Sequence, residues 1–318
     1  MVDLETEIEM LRRKCINCGK CTAVCPSLKH GGVDPKEIMV SGEGDVTLCL
    51  ECGNCSAVCR RTDPYRVMRD LRALVMDKHP PDLFFSDGVI LPRMQDPIDP
   101  AWDGNDVKVL PGCVVQGRLP YLKYTVRKTC SVFGLTSSEL ENWTCCLRPA
   151  SFSELGELGR RPYLSRMSAS AKGSRLISLC GGCAEEMSRT GTEIDNIIPF
   201  VYEHIDKLPA LSKPLKVAME PGCTGERYRK QMKEILTRMG CEIVNKTDGC
   251  CGNKTLPMMD ERKTECKGAD IIVVACPNCQ KRYDAYEGGL PVLHLTELIS
   301  YAAGDSSTLG FHKIRADI

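Results

Sequence analysis

The chain has 318 residues, 42 Lys+Arg balanced by 42 Asp+Glu, and 21 cysteines. That length suffices for two or three compact domains, each able to bury a core of its own. The balanced charge excludes bulk attraction to nucleic acid or a membrane surface, and an odd cysteine count without an export signal argues against a disulfide framework.

The first fourteen residues, MVDLETEIEMLRRK, lack the apolar stretch of a signal peptide and read as a short amphipathic helix. No apolar run approaches the roughly 18 residues that span a bilayer. A soluble, cytoplasmic protein is expected, reaching a membrane only through a partner.

Two runs follow, Cys15-x₂-Cys18-x₂-Cys21-x₃-Cys25-Pro26 and Cys49-x₂-Cys52-x₂-Cys55-x₃-Cys59. Three cysteines at this interval can curl around one cubane, and the fourth ligand must come from elsewhere. In two-cluster ferredoxins the fourth cysteine of each run crosses to the other cluster. Cys15, Cys18, Cys21 and Cys59 are therefore assigned to one cubane [4Fe–4S] cluster, and Cys49, Cys52, Cys55 and Cys25 to a second. Zinc sites favour paired C-x₂₋₄-C knuckles, which these runs do not match. Gly19 and Gly53 sit where backbone must pass close to sulfide. Arg60 follows the second run where Pro26 follows the first. Residues 65–76 then read as a helix, with Val67, Leu71, Leu74 and Val75 at helical spacing.

A proline-rich stretch containing Pro80-Pro81, Pro92, Pro97 and Pro100 reads as an extended linker. Beyond it the chain repeats itself. Val107-Lys108-Val109-Leu110-Pro111-Gly112-Cys113 matches Leu215-Lys216-Val217-Ala218-Met219-Glu220-Pro221-Gly222-Cys223, a strand closing on Pro-Gly-Cys. Helical stretches follow at 120–133 and 226–239, then the vicinal pairs Cys145-Cys146 and Cys250-Cys251. Each copy ends with a strand running into C-x₂-C, at Cys180/Cys183 and Cys276/Cys279. Strands alternating with helices predict two α/β units with mostly parallel sheets, whose ligand crevice lies at the carboxyl ends of the strands. Those ends carry the cysteines.

Adjacent cysteines chelate a single tetrahedral metal poorly but suit a larger cluster. The pattern Cys…Cys-Cys…Cys-x₂-Cys resembles the cysteine-rich (CCG) domain of the heterodisulfide reductase catalytic subunit family. A ferredoxin module followed by two such domains resembles the fused subunits of that family, which look similar in thiol:fumarate reductase and in some glycolate, lactate and glycerol-3-phosphate oxidation complexes. The implied architecture is α+β / α/β: a two-cluster ferredoxin-like helical module at 1–79, a linker at 80–106, and cysteine-rich CCG domains at 107–212 and 213–318. The resemblance implies two noncubane [4Fe–4S] clusters. One would be held by Cys113, Cys145, Cys146, Cys180 and Cys183, the other by Cys223, Cys250, Cys251, Cys276 and Cys279. It implies reductive cleavage of a disulfide of the coenzyme M–coenzyme B type, an anaerobic setting, and a hetero-oligomer with an electron-supplying subunit, either a soluble flavoprotein or a membrane cytochrome. The second copy is the shorter, with 26 and 24 residues between its cysteines against 31 and 33. The first has Leu147 where the second has Gly252.

Arg148 and Lys254, just beyond the pairs, are candidates for binding an anionic small disulfide or thiol substrate. His294 reads as a structural cap of the last helix. Cys130, Cys241 and Cys266 fall outside both motifs and read as small buried apolar residues. No G-x-G-x-x-G or P-loop occurs, so a flavin or nucleotide would reside on a partner. The alternatives are a non-catalytic electron-transfer subunit of a flavin-dependent hydroxy-acid or glycerol-3-phosphate oxidation complex, and a cluster-carrying maturation or scaffold protein.

Overall fold

The computed structural model of the chain describes residues 3–148, 152, 155, 157–171, 173–244, 251, 256–285, 289–316 and 318. The expectations for Cys250, Gly252 and Lys254 fall outside the described residues.

The N-terminal portion is helical. Helix Leu4–Arg12 starts at Asp3, whose carboxylate accepts from the Thr6 N–H at 2.7 Å, and Asp63 caps Pro64–Val75 through the Arg66 N–H; each cap satisfies an orphan donor of the first turn. Ile8, Ile38, Met39, Val67 and Met68 form a small core between these helices. The periodicity of 65–76 is only half realised. Val67 is buried, but Leu74 and Val75 are 46% and 59% exposed, while Arg69, Asp70 and Arg72 are buried. The helix turns its charged residues inward because it docks against the rest of the chain through ion pairs.

The remainder forms two four-stranded, wholly parallel sheets. The first has β1 (Val107–Leu110), β2 (Ser137–Glu139), β3 (Arg175–Ser178) and β4 (Asp195–Asn196) in the order β2-β1-β3-β4. The second has β5 (Leu215–Glu220), β6 (Cys241–Ile243), β7 (Ile271–Val274) and β8 (Val292–His294) in the order β6-β5-β7-β8. In both, strand order reverses between the two central strands, and such a switch point opens a crevice at their carboxyl ends. β1 and β3 run there into Cys113 and Cys180, β5 and β7 into Cys223 and Cys276. The topology thus delivers the ends of each five-cysteine motif to one place.

The repeats do not keep separate cores. Helix Leu122–Val132 of the first packs on Leu295–Ala302 of the second, and Ile197–Glu203 on Arg229–Arg238. Val109, Leu122 and Phe200 share one buried cluster with Val217, Ile235 and Leu298. Each such side chain removed from water is worth about 1.5–3 kcal/mol, so the two repeats stabilise one another. Where two of these helices meet, the Thr125 and Thr296 hydroxyls hydrogen-bond at 2.8 Å.

The proline-rich stretch is more than a linker. It contains helix Asp82–Asp87, and its Phe84 and Val89 are buried with Cys113, Cys145 and Cys146. The Gly88 carbonyl accepts from the Cys145 N–H at 2.6 Å. Among the described residues no helix is long and apolar enough to cross a membrane.

Candidate metal centres

The two ferredoxin-type loops share one local geometry. Asn17 and Glu51, each two residues past the first cysteine, take left-handed φ of 54° and 57°. That bend turns their N–H groups back onto the Cys15 and Cys49 sulfurs at 3.5 and 3.3 Å. Gly19 and Gly53, also left-handed, start the short helices Lys20–Ala23 and Asn54–Val58, which carry Cys21 and Cys55 inward. Cys15, Cys18, Cys21 and Cys59 line one cavity of about 190 Å³. Cys25 stands with the other run: burial pushes the Cys55 thiol up, and the charges of Cys52, Cys49 and Cys25 push it further. Cys59 therefore lies by the other run's first three, and Cys25 near enough to Cys55 for its charge to act there.

In the first repeat, Cys113 opens helix Cys113–Arg118 and Cys180 caps Gly181–Ser188, which holds Cys183. The Cys146 and Cys183 sulfurs are 3.4 Å apart. Cys145 and Cys183 both donate to Cys146, holding its thiol well below the usual range. All five cysteines line a cavity of about 240 Å³, closed by Ile90 and Leu91 and, from the second repeat, Asn278 and Lys281. Leu147, which stands where the second repeat has glycine, takes φ 59° and is buried. The backbone keeps the left-handed turn glycine would adopt freely, and burial of the leucine offsets a strain of about 1–2 kcal/mol. In the second repeat the Cys279 thiol reaches Cys251 and Cys276, Pro277 begins the helix that carries Cys279, and Cys223 is half-buried. Asn278 and Lys281 of the second repeat line the cavity that holds Cys180 and Cys183, and the Cys180 and Cys276 thiols shift one another's titration, so the two cysteine sites adjoin.

Among the described residues no group of three or more His, Cys, Asp or Glu is placed to hold a metal ion; the cysteines line cavities. Gly112 and Gly222 leave these volumes open. Both have φ near 79°, and a Cβ on Gly112 would sit 2.9 Å from the Cys183 sulfur. The Gly112→Ala substitution is expected to displace Cys183 and lower bound iron by about four atoms per chain. Unchanged iron after anaerobic purification would contradict that.

A buried ionic layer joins the centres. Glu186, one turn beyond Cys183, pairs with Arg69 of helix Pro64–Val75 at 2.7 Å and with Arg148 and Arg160 at 3.5 and 3.9 Å. Despite burial, these guanidinium groups hold its carboxyl down to about 2. Arg148 also pairs with Glu185 at 3.0 Å and donates to the Glu51 and Cys52 carbonyls at 3.3 Å. Tyr65 lies between, packed on Cys21 and Cys55, with Arg148, Arg69 and Arg189 at 4.8, 5.1 and 5.4 Å from its ring centre. A cavity of about 290 Å³ is shared by Cys52, Glu185 and Cys223. Sequence reasoning passed over Tyr65, Glu186 and Arg69; a buried charge on an otherwise apolar helix face was the one available signal.

Comparison with known proteins places names on both parts. Residues 8–69 match the 4Fe–4S dicluster domain and residues 217–282 the cysteine-rich domain abbreviated CCG. The chain is an iron–sulfur protein. It is 23% identical over 322 residues, 92% of its length, to one of the subunits of the CoM/CoB fumarate reductase of Methanothermobacter marburgensis. It spans 61% of that relative's own length. Domain content and relative both fit the heterodisulfide reductase-like family that the sequence resembles. A hypothetical protein from Helicobacter pylori shares the fold, with a TM-score of 0.53, 12% identity, and coverage of 80% of this chain and 60% of that one.

Other sequence readings also meet the structure of this iron–sulfur protein. His294 caps helix Leu295–Ala302 in a reciprocal box with Glu297, and burial pushes its imidazole down to about 4, so it is neutral. Cys130, Cys241 and Cys266 are buried, and burial raises their thiols to about 11, 12 and 12.

Proposed function

We propose that the chain is the catalytic iron–sulfur subunit of a disulfide reductase complex. In this reading Cys15, Cys18, Cys21 and Cys59 hold one cubane cluster and Cys49, Cys52, Cys55 and Cys25 the other. Cys113, Cys145, Cys146, Cys180 and Cys183, and Cys223, Cys250, Cys251, Cys276 and Cys279, hold two noncubane clusters. The adjacency of the two repeats at the first cysteine cavity carries the reading, because two sites that adjoin can each take one sulfur of the same disulfide. When bound, the clusters would supply electrons one at a time and iron with affinity for thiolate sulfur. The chain's residues provide the rest. The Cys49 set adjoins both repeats, through Arg148 to the first and across the Cys52–Cys223 cavity to the second. Ile90, Leu91 and the buried cysteines line the cavity of the first repeat. Two electrons and two protons convert one disulfide into two thiols. The electron-supplying subunit is a partner, and the complex a hetero-oligomer.

Reoxidation of the anaerobically reduced protein by the coenzyme M–coenzyme B disulfide tests this. One disulfide is expected to release two thiols and consume two electrons. Intact clusters that release no thiol would overturn the disulfide reading and leave the non-catalytic electron-transfer alternative.

A further inference from the structure

The cysteine sets differ in their access to the surface. Among the described residues Cys18 is the only exposed cysteine. Its cavity is ringed by Lys20, Lys36, Arg60 and Arg61, and no carboxylate lines it. Lys20, Arg60 and Arg61 are exposed, and Ile16 beside them is 61% exposed. The Cys49 set instead faces inward, toward Arg148 and Cys223. Among the described residues, exposed apolar side chains concentrate on the same module: seven of the ten large ones lie before residue 76. An apolar centre within a single-sign charged rim, over an electron-transfer site, is the composition of a transient protein interface.

We propose that the surface around Cys18 docks an acidic electron-transfer protein. This rests on the relay reading and names its point of entry. In each encounter the partner is oxidised by one electron, which passes to the group held by Cys15, Cys18, Cys21 and Cys59, so two encounters serve one disulfide. Opposite charges steer the encounter, and salt screens that steering over about 10 Å at 0.1 M.

The test uses the anaerobic, cluster-loaded protein and reduced plant-type [2Fe–2S] ferredoxin as an acidic probe. Stopped-flow absorbance gives the bimolecular rate, and calorimetry with oxidised ferredoxin gives the affinity. Both are expected to fall as ionic strength rises. Combined Arg60→Glu and Arg61→Glu substitution is expected to lower the low-salt rate about tenfold or more, whereas Lys233→Glu, on the exposed face of helix Arg229–Arg238, leaves it unchanged. Full reduction by dithionite together with ferredoxin kinetics indifferent to salt and to the double substitution would overturn the docking site while keeping the relay. Failure of dithionite to bleach the protein would overturn the relay, and the docking site with it.

Discussion

Replacing Cys146 by serine is expected to lower bound iron from about sixteen to about twelve atoms per chain and to abolish disulfide-dependent reoxidation. Cys146 is the focus of its set: Cys145 and Cys183 both donate to it, and its carbonyl accepts from Arg160 at 2.9 Å. A serine hydroxyl at that point is a far weaker iron ligand than a thiolate. The ferredoxin-type signals in electron paramagnetic resonance are expected to persist, because the Cys15 set surrounds a different cavity. Iron content and spectra of the variant check both halves. A wild-type content near eight atoms, or an unaltered content in the Cys146→Ser variant, would remove the cluster from the first repeat.

The second large effect is on stability. Glu186 is 1% exposed and faces Arg69, Arg148 and Arg160. The Glu186→Ala substitution leaves these guanidinium groups buried without their common counter-charge, at a cost of about 3–5 kcal/mol. The same pairing makes stability depend on pH. The Glu186 carboxyl is depressed from 4.5 to about 2, so its contribution is complete above pH 4.5 and is lost as pH falls toward 2. A shift of that size corresponds to about 3 kcal/mol. Asp70 acts in the opposite sense. Burial raises its carboxyl to about 6, so its cost at neutral pH is relieved as pH falls through 6. Unfolding midpoints are therefore expected to rise slightly from pH 7 to pH 5 and to drop steeply below 4.5, and Glu186→Gln is expected to flatten the steep limb. A wild-type profile without that limb would mean that Glu186 is not held ionised by its partners.

Joining these groups is what makes the ferredoxin module and the first repeat one mechanical unit. Helix Gly181–Ser188 carries Cys183 and Glu186 one turn apart, so both fall on one face. Any shift between the modules would move the Cys183 sulfur with the ion pair. Arg148, which sequence spacing offered as a substrate-binding cation, lines the first repeat's cavity and also pairs with Glu185 and Glu186 and donates to two carbonyls of the Cys49 loop. Its position beside a cysteine pair was visible in the sequence, but its partners lie 37 to 97 residues away.

Much of this protein was legible in its residues because the relevant geometry is local. Three cysteines at x₂ intervals can curl around one centre, and a strand closing on Pro-Gly-Cys ends where glycine permits φ near 79°. The internal repeat predicted two sheets of the same kind, and both have the same strand order. The adjacency of the two cysteine sites, the burial of Glu186 among arginines, the basic rim around Cys18 and the use of the proline-rich stretch as a wall of the first site were decided by the tertiary structure. These contacts depend on how helices Leu122–Val132 and Leu295–Ala302 pack and on which charged face of Pro64–Val75 turns inward. Spacing along a chain constrains what a few neighbouring residues can bind; it carries no record of which distant surfaces fit together, and complementary packing settles that.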